Sequence, residues 1–172
     1  MLLTTYQSEE AYRAILAGTY RPALAKSHVA LDERFARAYA WLKAQMRLRV
    51  GNEPAGVATP YWAWLFRKDA PLERYDEDYS GCMKITLEID ESRVLVSSYD
   101  DWHCVLNDWP VLLPEEYDQD DEARDELLRR YYPIRQKTWP RIFDMKNYPE
   151  SWAFQVTFWR LFPDDIISVA RV

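Results

Sequence analysis

The sequence predicts an α+β fold: a mixed or antiparallel sheet of about five to six strands with flanking helices. Short segments with apolar residues at every second position are typical of strands, and longer segments with apolar residues at steps of three or four are typical of helices. Both kinds occur, but they do not alternate regularly, and no strand–helix–strand fingerprint is present. A chain of 172 residues has the size of one domain, so we expect a single globular domain over residues 1–172.

Six segments have the pattern of strands: residues 2–6, 61–66, 83–90, 94–96, 152–161 and 166–172. The second and fifth are apolar on both faces, which predicts that they lie inside the sheet. The third carries four apolar residues on one face and polar residues on the other, which predicts one face exposed to water. Those apolar residues are Met83, Ile85, Leu87 and Ile89.

Helices are predicted between these strands. Ser8 is suited to cap a first helix, and Gly18 to end it. A second helix runs from about residue 31 to residue 50, where apolar residues recur at helical spacing. Residues 115–126 include eight acidic residues, which predict the start of another helix. Three i,i+4 ion pairs are expected on it. These pairs are Asp120–Arg124, Asp125–Arg129 and Glu126–Arg130.

A further helix is predicted directly after the strand at residues 94–96. Asp100 would be its N-cap, with the carboxylate accepting the backbone N–H of His103. Its buried apolar stripe would consist of Trp102, Val105, Leu106 and Trp109.

Charge and hydropathy limit the kinds of partner and the cellular location that we expect for this protein. The net charge of −6 and the pI near 5.0 disfavour nucleic-acid binding, which relies on Lys and Arg. No apolar run approaches the roughly 20 residues that cross a bilayer, and the N-terminal residues lack the pattern of a signal peptide. Cys82 and Cys104 do not have the spacing of a redox or metal motif, which indicates reduced thiols. We therefore expect a cytoplasmic protein without membrane contact, monomeric or homodimeric.

Common catalytic motifs are missing from the sequence. The four glycines do not form a phosphate-binding loop, and no G-x-S-x-G nucleophile motif can be written. The two histidines, His28 and His103, are far apart and lack the spacing of a metal site, so no metal is expected.

His103 is the first candidate for polar chemistry. Histidine titrates near neutral pH, so His103 could act as a general acid or base or contact a ligand. The alternative is a packed histidine at the edge of the core, hydrogen-bonded to Asn107 or to the backbone. Both interpretations remain open from the sequence.

Gln155 is the second candidate because it lies in a strand predicted to be buried. An unpaired buried amide costs on the order of 1–3 kcal/mol, so Gln155 must either bond to its neighbours or line a pocket. Aromatic walls with a few polar groups are typical of small-ligand sites, although for any single Trp a place in an aromatic core is the more common role. The candidate catalytic residues are His103, Gln155 and Asp101, and the candidate ligand-binding residues are Tyr6, Gln7, Trp62, Trp64, Asp100, Trp102 and Asn107.

Five segments are distinctive, in this order along the chain: TTYQSEEAYRAILAGTYR, YWAW, VSSYDDWHCVLNDW, TWPRIFD and FQVTFWRL. They resemble an uncharacterised bacterial family, domain-of-unknown-function family 3841. The run from Asp100 to Asn107 is the most specific part. The resemblance implies a fold but no activity.

A more remote resemblance is to small ADP-ribosyltransferase-like domains. Such domains open with a strand–helix unit that ends near a Gly, and they close with a strand that holds the catalytic acid, a Pro-containing turn and a last strand. Here Gln155 stands where most of them carry Glu, and Tyr6 and Gln7 stand where they usually carry His or Arg. The resemblance implies a cleft for NAD, and it leaves open whether the protein transfers a group from NAD or only binds it. If transfer occurs, His103 or Asp101 would have to replace the missing Glu.

Two functions follow from these observations. In the first, an NAD-type nucleotide or another small molecule binds in a cleft formed by the candidate residues. In the second, the chain is a non-enzymatic interaction module that presents the acidic segment at residues 115–126 to a basic partner or forms a homodimer through its aromatic surface.

Overall fold

The fold is built on an antiparallel sheet. The structure, a computed structural model, describes residues 1–22, 33–65, 79–149 and 152–172. In these ranges the strands are β1 (Leu2–Gln7), β2 (Tyr61–Leu65), β3 (Met83–Glu88), β4 (Val94–Ser98), β5 (Phe154–Phe158) and β6 (Ile166–Arg171). They form one six-stranded sheet in the order β4-β5-β2-β1-β3-β6, and every pairing is antiparallel. The predicted α+β class is confirmed.

The hydrophobic pattern places the strands as predicted. Both β2 and β5 are interior strands, and all five residues of β5 are buried. In β3, Ile85 and Leu87 are fully buried whereas Glu88 is exposed, which confirms one wet face. Phe66, His28 and the predicted helix start at residue 31 lie outside the described residues.

Six α-helices are described: α1 (Glu9–Leu16), α2 (Glu33–Arg49), α3 (Tyr99–Leu106), α4 (Pro114–Tyr117), α5 (Asp121–Tyr131) and α6 (Arg135–Thr138). The predicted cap of α1 is confirmed, because Ser8 Oγ accepts the backbone N–H of Ala11 at 3.1 Å. No helix in the described ranges has the length and apolar character needed to cross a membrane.

The predicted start of α3 was wrong. Its N-cap is Ser98, whose Oγ accepts the backbone N–H of Asp101 at 3.3 Å, and Asp100 lies inside the first turn. Ser98 is also the last residue of β4, where it pairs with Phe154. The strand therefore runs into the helix without a linker, because one residue ends the ladder and caps the helix.

The predicted burial of Trp109 was also wrong. Trp102, Val105 and Leu106 are buried as expected, but Trp109 is 55% exposed. The helix ends at Leu106, and Asp108 adopts a positive φ of 59°. This left-handed residue turns the chain, so Trp109 no longer continues the apolar stripe.

The acidic segment pairs differently from the prediction. The ion pairs on α5 join Asp121 to Arg124 and Glu126 to Arg129, at i,i+3, and the three i,i+4 pairs do not form. Asp120 instead caps α5, with its Oδ1 accepting the Ala123 N–H at 2.9 Å. A carboxylate bent over the helix terminus in this way is turned away from Arg124.

Two apolar layers cover the two faces of the sheet. One contains Ile15 of α1 together with Leu3, Ile85 and Leu87. The other joins the sheet to α2 and α3 through Leu42, Met46, Trp102, Val105 and Trp139, together with Leu95 of β4. The helices α2 and α3 thus pack on the face that carries Trp62 and Trp64 of β2, whereas Tyr61 lies in the other layer.

Candidate functional site

A cleft opens where β1 and β2 separate. Among the described residues, their ladder contains two pairs, Leu3–Leu65 and Thr4–Trp64. The same register would next place Thr5 opposite Ala63 and then Tyr6 opposite Trp62, but neither pair forms, and a cavity of about 320 Å³ lies there instead. We call this cavity the cleft; it is lined by Thr5, Tyr6, Gln7, Tyr39, Trp62, Ala63, Trp64, Tyr79, Tyr99, Trp102, His103, Leu106 and Gln155.

A chain of side-chain hydrogen bonds closes the gap left by the missing ladder. Thr5 Oγ1 donates to the Trp62 carbonyl at 3.0 Å, so this hydroxyl is available only as an acceptor to Gln7 Nε2, 3.0 Å away. The Tyr20 hydroxyl donates to Gln7 Oε1 at 3.1 Å. These contacts fix the orientation of the Gln7 amide at the cleft wall.

Gln155 has a direct partner on each of the two strands beside β5. It pairs with Trp64 on β2 and with Ser97 on β4. Residues directly opposite one another on adjacent strands share a face of the sheet, so the side chain of Gln155 is on the face of Trp64, which is also the face of Trp62. Gln155 is 6% exposed, and among the described residues its Nε2 has no hydrogen-bond partner.

The walls of the cleft are aromatic. Trp62 and Trp102 have ring centroids 5.5 Å apart, and Tyr39 of α2 contacts both rings edge-on. Trp64 packs on Tyr99 at 4.8 Å. At the β1 side, Tyr6 and Tyr79 stack with centroids 4.3 Å apart. Burial raises the pKa of Tyr39, so its hydroxyl stays neutral near physiological pH.

His103 lies on the exposed side of α3 and also lines the cleft. Its Nδ1 is 3.0 Å from the carbonyl oxygen of Tyr99, which can only accept a hydrogen bond. Nδ1 therefore carries the hydrogen, and Nε2 of the neutral ring keeps its lone pair. His103 therefore makes the predicted hydrogen bond to the backbone, and it also lies at the cleft.

Three of the ten predicted site residues lie away from the cleft. Asp100 is exposed on the first turn of α3. The Asn107 side chain donates to the His103 carbonyl at 2.8 Å and so closes the end of α3. Asp101 is 1% exposed and points into the protein. The seven that line the cleft are Tyr6, Gln7, Trp62, Trp64, Trp102, His103 and Gln155.

The carboxyl group of Asp101 is buried away from water. The Tyr117 hydroxyl donates to its Oδ1 at 3.4 Å, and within the described ranges its Oδ2 has no partner. Burial away from water raises the pKa of Asp101, and the nearby hydroxyl groups of Tyr148, Ser98 and Tyr117 oppose this only in part. Burial therefore makes the charged form of Asp101 less favourable than it is in water.

Sequence reasoning missed Tyr39, Tyr79 and Tyr99. Tyr39 lies in the apolar stripe of α2, so its spacing in the sequence is that of a core residue. No neighbouring residue in the sequence distinguishes it from the core residues of that helix. Tyr99 is adjacent to the residues that were chosen, and its place on the first turn of α3 could have indicated it. Across the described ranges, no three His, Cys, Asp or Glu side chains are gathered as a metal ion would require.

The fold and cleft define an α+β protein with a six-stranded antiparallel sheet and an aromatic cleft between two splayed strands. Residues 2–167 match the model of the family described as a domain of unknown function, DUF3841, and the chain belongs to this family. No curated protein and no solved structure matches the chain significantly.

Proposed function

We propose that the cleft binds a nucleotide of the NAD type, with the ring and its adjoining sugar inside and the phosphates toward solvent. The observation that carries this proposal is the unpartnered amide of Gln155 inside an aromatic cavity. A buried amide without a partner costs about 1–3 kcal/mol, and a ligand that supplies the partner would remove this cost. Rotation of the carboxamide lets Gln155 offer either a donor or an acceptor.

The size and charge of the cleft fit the ring end of such a ligand. A volume of about 320 Å³ is at the lower end for small-molecule pockets, which suits a ring and a sugar rather than a whole dinucleotide. Among the described residues that line it, none is Lys, Arg, Asp or Glu. Phosphate groups would find no cation there, so they are expected to remain outside.

The order of the elements supports an ADP-ribosyltransferase-like arrangement. The chain opens with β1 and α1, which ends just before Gly18, and closes with β5, a turn containing Pro163, and β6. If the likeness holds, Gln155 would occupy the place of the catalytic acid on the late strand. Tyr6 and Gln7 occupy the end of the first strand beside the same cleft.

The residues favour binding over rapid transfer. Breaking the bond between ribose and nicotinamide leaves positive charge on the sugar, and the neutral amide of Gln155 stabilises that charge less than a carboxylate does. Asp101 is buried outside the cleft and cannot replace the missing Glu. Of the two residues considered for that role, His103 is the one at the cleft, where Nε2 could accept the proton of an attacking nucleophile.

Thermal unfolding with and without millimolar NAD tests the proposal. A ligand that binds only the folded state stabilises by RT ln(1 + [L]/Kd), roughly 2.7 kcal/mol at a hundred times Kd. We expect a rise in Tm for the wild type and for Gln136→Ala, whose Gln is exposed on α6, and no rise for Gln155→Ala. An equal rise in Gln155→Ala would reject the assignment of the site, and no rise in any protein would reject the ligand.

Release of nicotinamide provides the second readout. Gln155→Glu restores the carboxylate that the resemblance places on this strand, so this variant should release nicotinamide from NAD faster than the wild type. His103→Ala in the Gln155→Glu background should slow that release. Binding of NAD with no release by any of these proteins would limit the function to binding.

The acidic segment supports the second candidate function less well. Four of its acids already have contacts within the chain: Glu116 with Arg141, Asp120 as a cap, Asp121 with Arg124, and Glu126 with Arg129. These contacts favour a structural role. An interaction module would instead show salt-sensitive association that is lost when Glu115, Asp118, Glu122 and Asp125 become amides, and that is insensitive to changes at Gln155.

A further inference from the structure

A second cavity lies on the other side of α3 from the cleft. Its volume is about 490 Å³, within the range of small-molecule sites. We call it the groove, and its main walls are Cys104, Trp109, Tyr117, Arg124, Leu128 and Tyr132. Cys104 belongs to α3, which also carries Trp102 and His103 to the cleft, so one short helix separates the two cavities.

The structure holds the aromatic walls of the groove open to solvent. Trp109 is 55% exposed and Tyr132 is 54% exposed, although large aromatic residues are ordinarily well buried. Trp109 is fixed from both sides: its carbonyl accepts from Trp139 Nε1 at 2.9 Å, and the preceding Asp108 is bound by Arg37 and Arg135. Arg135 also stacks on the ring of Tyr132, 5.1 Å from its centroid.

One cation lies among the apolar walls of the groove. Arg124 pairs with Asp121, whose side chain is 91% exposed, whereas the Arg124 side chain is only 34% exposed. A solvated i,i+3 ion pair contributes little, so a second carboxylate can share or replace Asp121 at small cost. The other contact of Arg124 in the described part of the chain is a long one, 3.5 Å, to the Tyr117 carbonyl.

We propose that the groove binds an amphiphilic carboxylate, with an alkyl or aryl body between Trp109, Leu128 and Tyr132 and its carboxylate on Arg124. The charge of the ligand follows from Arg124, since the remaining walls are apolar or neutral. The proposal is independent of the nucleotide cleft. A second copy of this chain could cover the same surface, and the experiment below distinguishes the two occupants.

Calorimetric titration of the full chain with sodium decanoate, below its micelle concentration, tests the proposal. We expect saturable binding at one site, with 1-decanol binding at least tenfold more weakly. Leu128→Glu should abolish decanoate binding, whereas Leu48→Glu, at a 77% exposed leucine of α2 outside the groove, should not change it. Arg124→Gln should weaken decanoate at least tenfold without changing the affinity for decanol, and Arg129→Gln, at an exposed residue of the same helix, should bind like the wild type.

Three results would overturn the proposal. The first is the absence of saturable decanoate binding to a folded wild type. The second is equal affinity in Leu128→Glu and Leu48→Glu. The third is a dimer in sedimentation analysis that Leu128→Glu dissociates and decanoate does not, because this would make a second copy the occupant.

Discussion

Trp64 and Gln155 are direct partners across β2 and β5, and both side chains line the cleft. The indole and the amide therefore lie side by side on one face of the sheet, although they are far apart in the chain. Gln155 meets aromatic rings there and no polar partner for Nε2 among the described residues. This pairing places a buried amide beside the aromatic wall of the cleft.

Replacing Gln155 with Met is expected to stabilise the protein. Met has a similar length and fits irregular apolar gaps, and it removes the cost of burying an unpaired amide. We expect the free energy of unfolding in urea to rise by about 1 kcal/mol, while the stabilisation by NAD disappears. Thr157→Val, two residues along the same strand, is the control: its hydroxyl donates to the Leu95 carbonyl at 3.3 Å, so that variant should lose stability. A less stable Gln155→Met protein would show that the amide is already satisfied.

Asp101→Asn should change the dependence of stability on pH. Burial raises the pKa of Asp101 above its ordinary value of 3.8, so the folded protein holds this proton more tightly than the unfolded chain. The stabilisation of the fold by the protonated Asp101 carboxyl is fully present below pH 3.8, and it is lost as the pH rises through the raised pKa of the folded protein. Stability measured by urea unfolding from pH 4 to pH 8 should fall less with pH in Asp101→Asn than in the wild type. Asp100→Asn, at the exposed neighbour, should follow the wild type, and a parallel curve for Asp101→Asn would contradict the prediction.

Asp108→Asn should show the opposite dependence on pH. A hydrogen bond from Arg135 lowers the pKa of Asp108, and the charges of Arg135 and Arg37 act in the same direction. The stabilisation is present above the ordinary aspartate value of 3.8 and is lost as the pH falls through the lowered value. The variant should be less stable than the wild type at pH 7, by about 1 kcal/mol, and equal to it in strong acid. Asn tolerates the positive φ at this position, so the backbone effect is small. A difference that persists unchanged in acid would exclude the ion pairs as its cause.

Replacing Ser98 and Asp100 in turn shows which of the two residues is the N-cap of α3. Ser98→Ala should lower the free energy of unfolding by about 1 kcal/mol, because the Asp101 N–H loses its acceptor. Asp100→Ala should change it by less than about 0.5 kcal/mol, as expected for an exposed position. The reverse order of the two effects would restore Asp100 as the cap. Since α3 carries Trp102 and His103, Ser98→Ala should also weaken NAD binding.

The class of fold could be predicted from the sequence because the local pattern determines it. Alternation in β3 and the doubly apolar runs of β2 and β5 identify strands and their depth in the sheet without knowledge of their partners. The cap of α3 could not be chosen in this way, since both Ser98 and Asp100 have side chains suited to it. Pairing of Ser98 with Phe154 decides between them by extending β4 to that residue.

The sequence by itself determined the elements, the aromatic character of the strands and most of the side chains that meet in the cleft. Only the tertiary structure decided that β1 and β2 separate after Thr4, that Gln155 lies beside Trp64 with no described partner for Nε2, and that Asp101 is buried away from the cleft. Hydrophobic periodicity depends on residues two to four positions apart, so it is visible in the chain. The gap between two strands depends on long-range pairing, and no local pattern of residues encodes it.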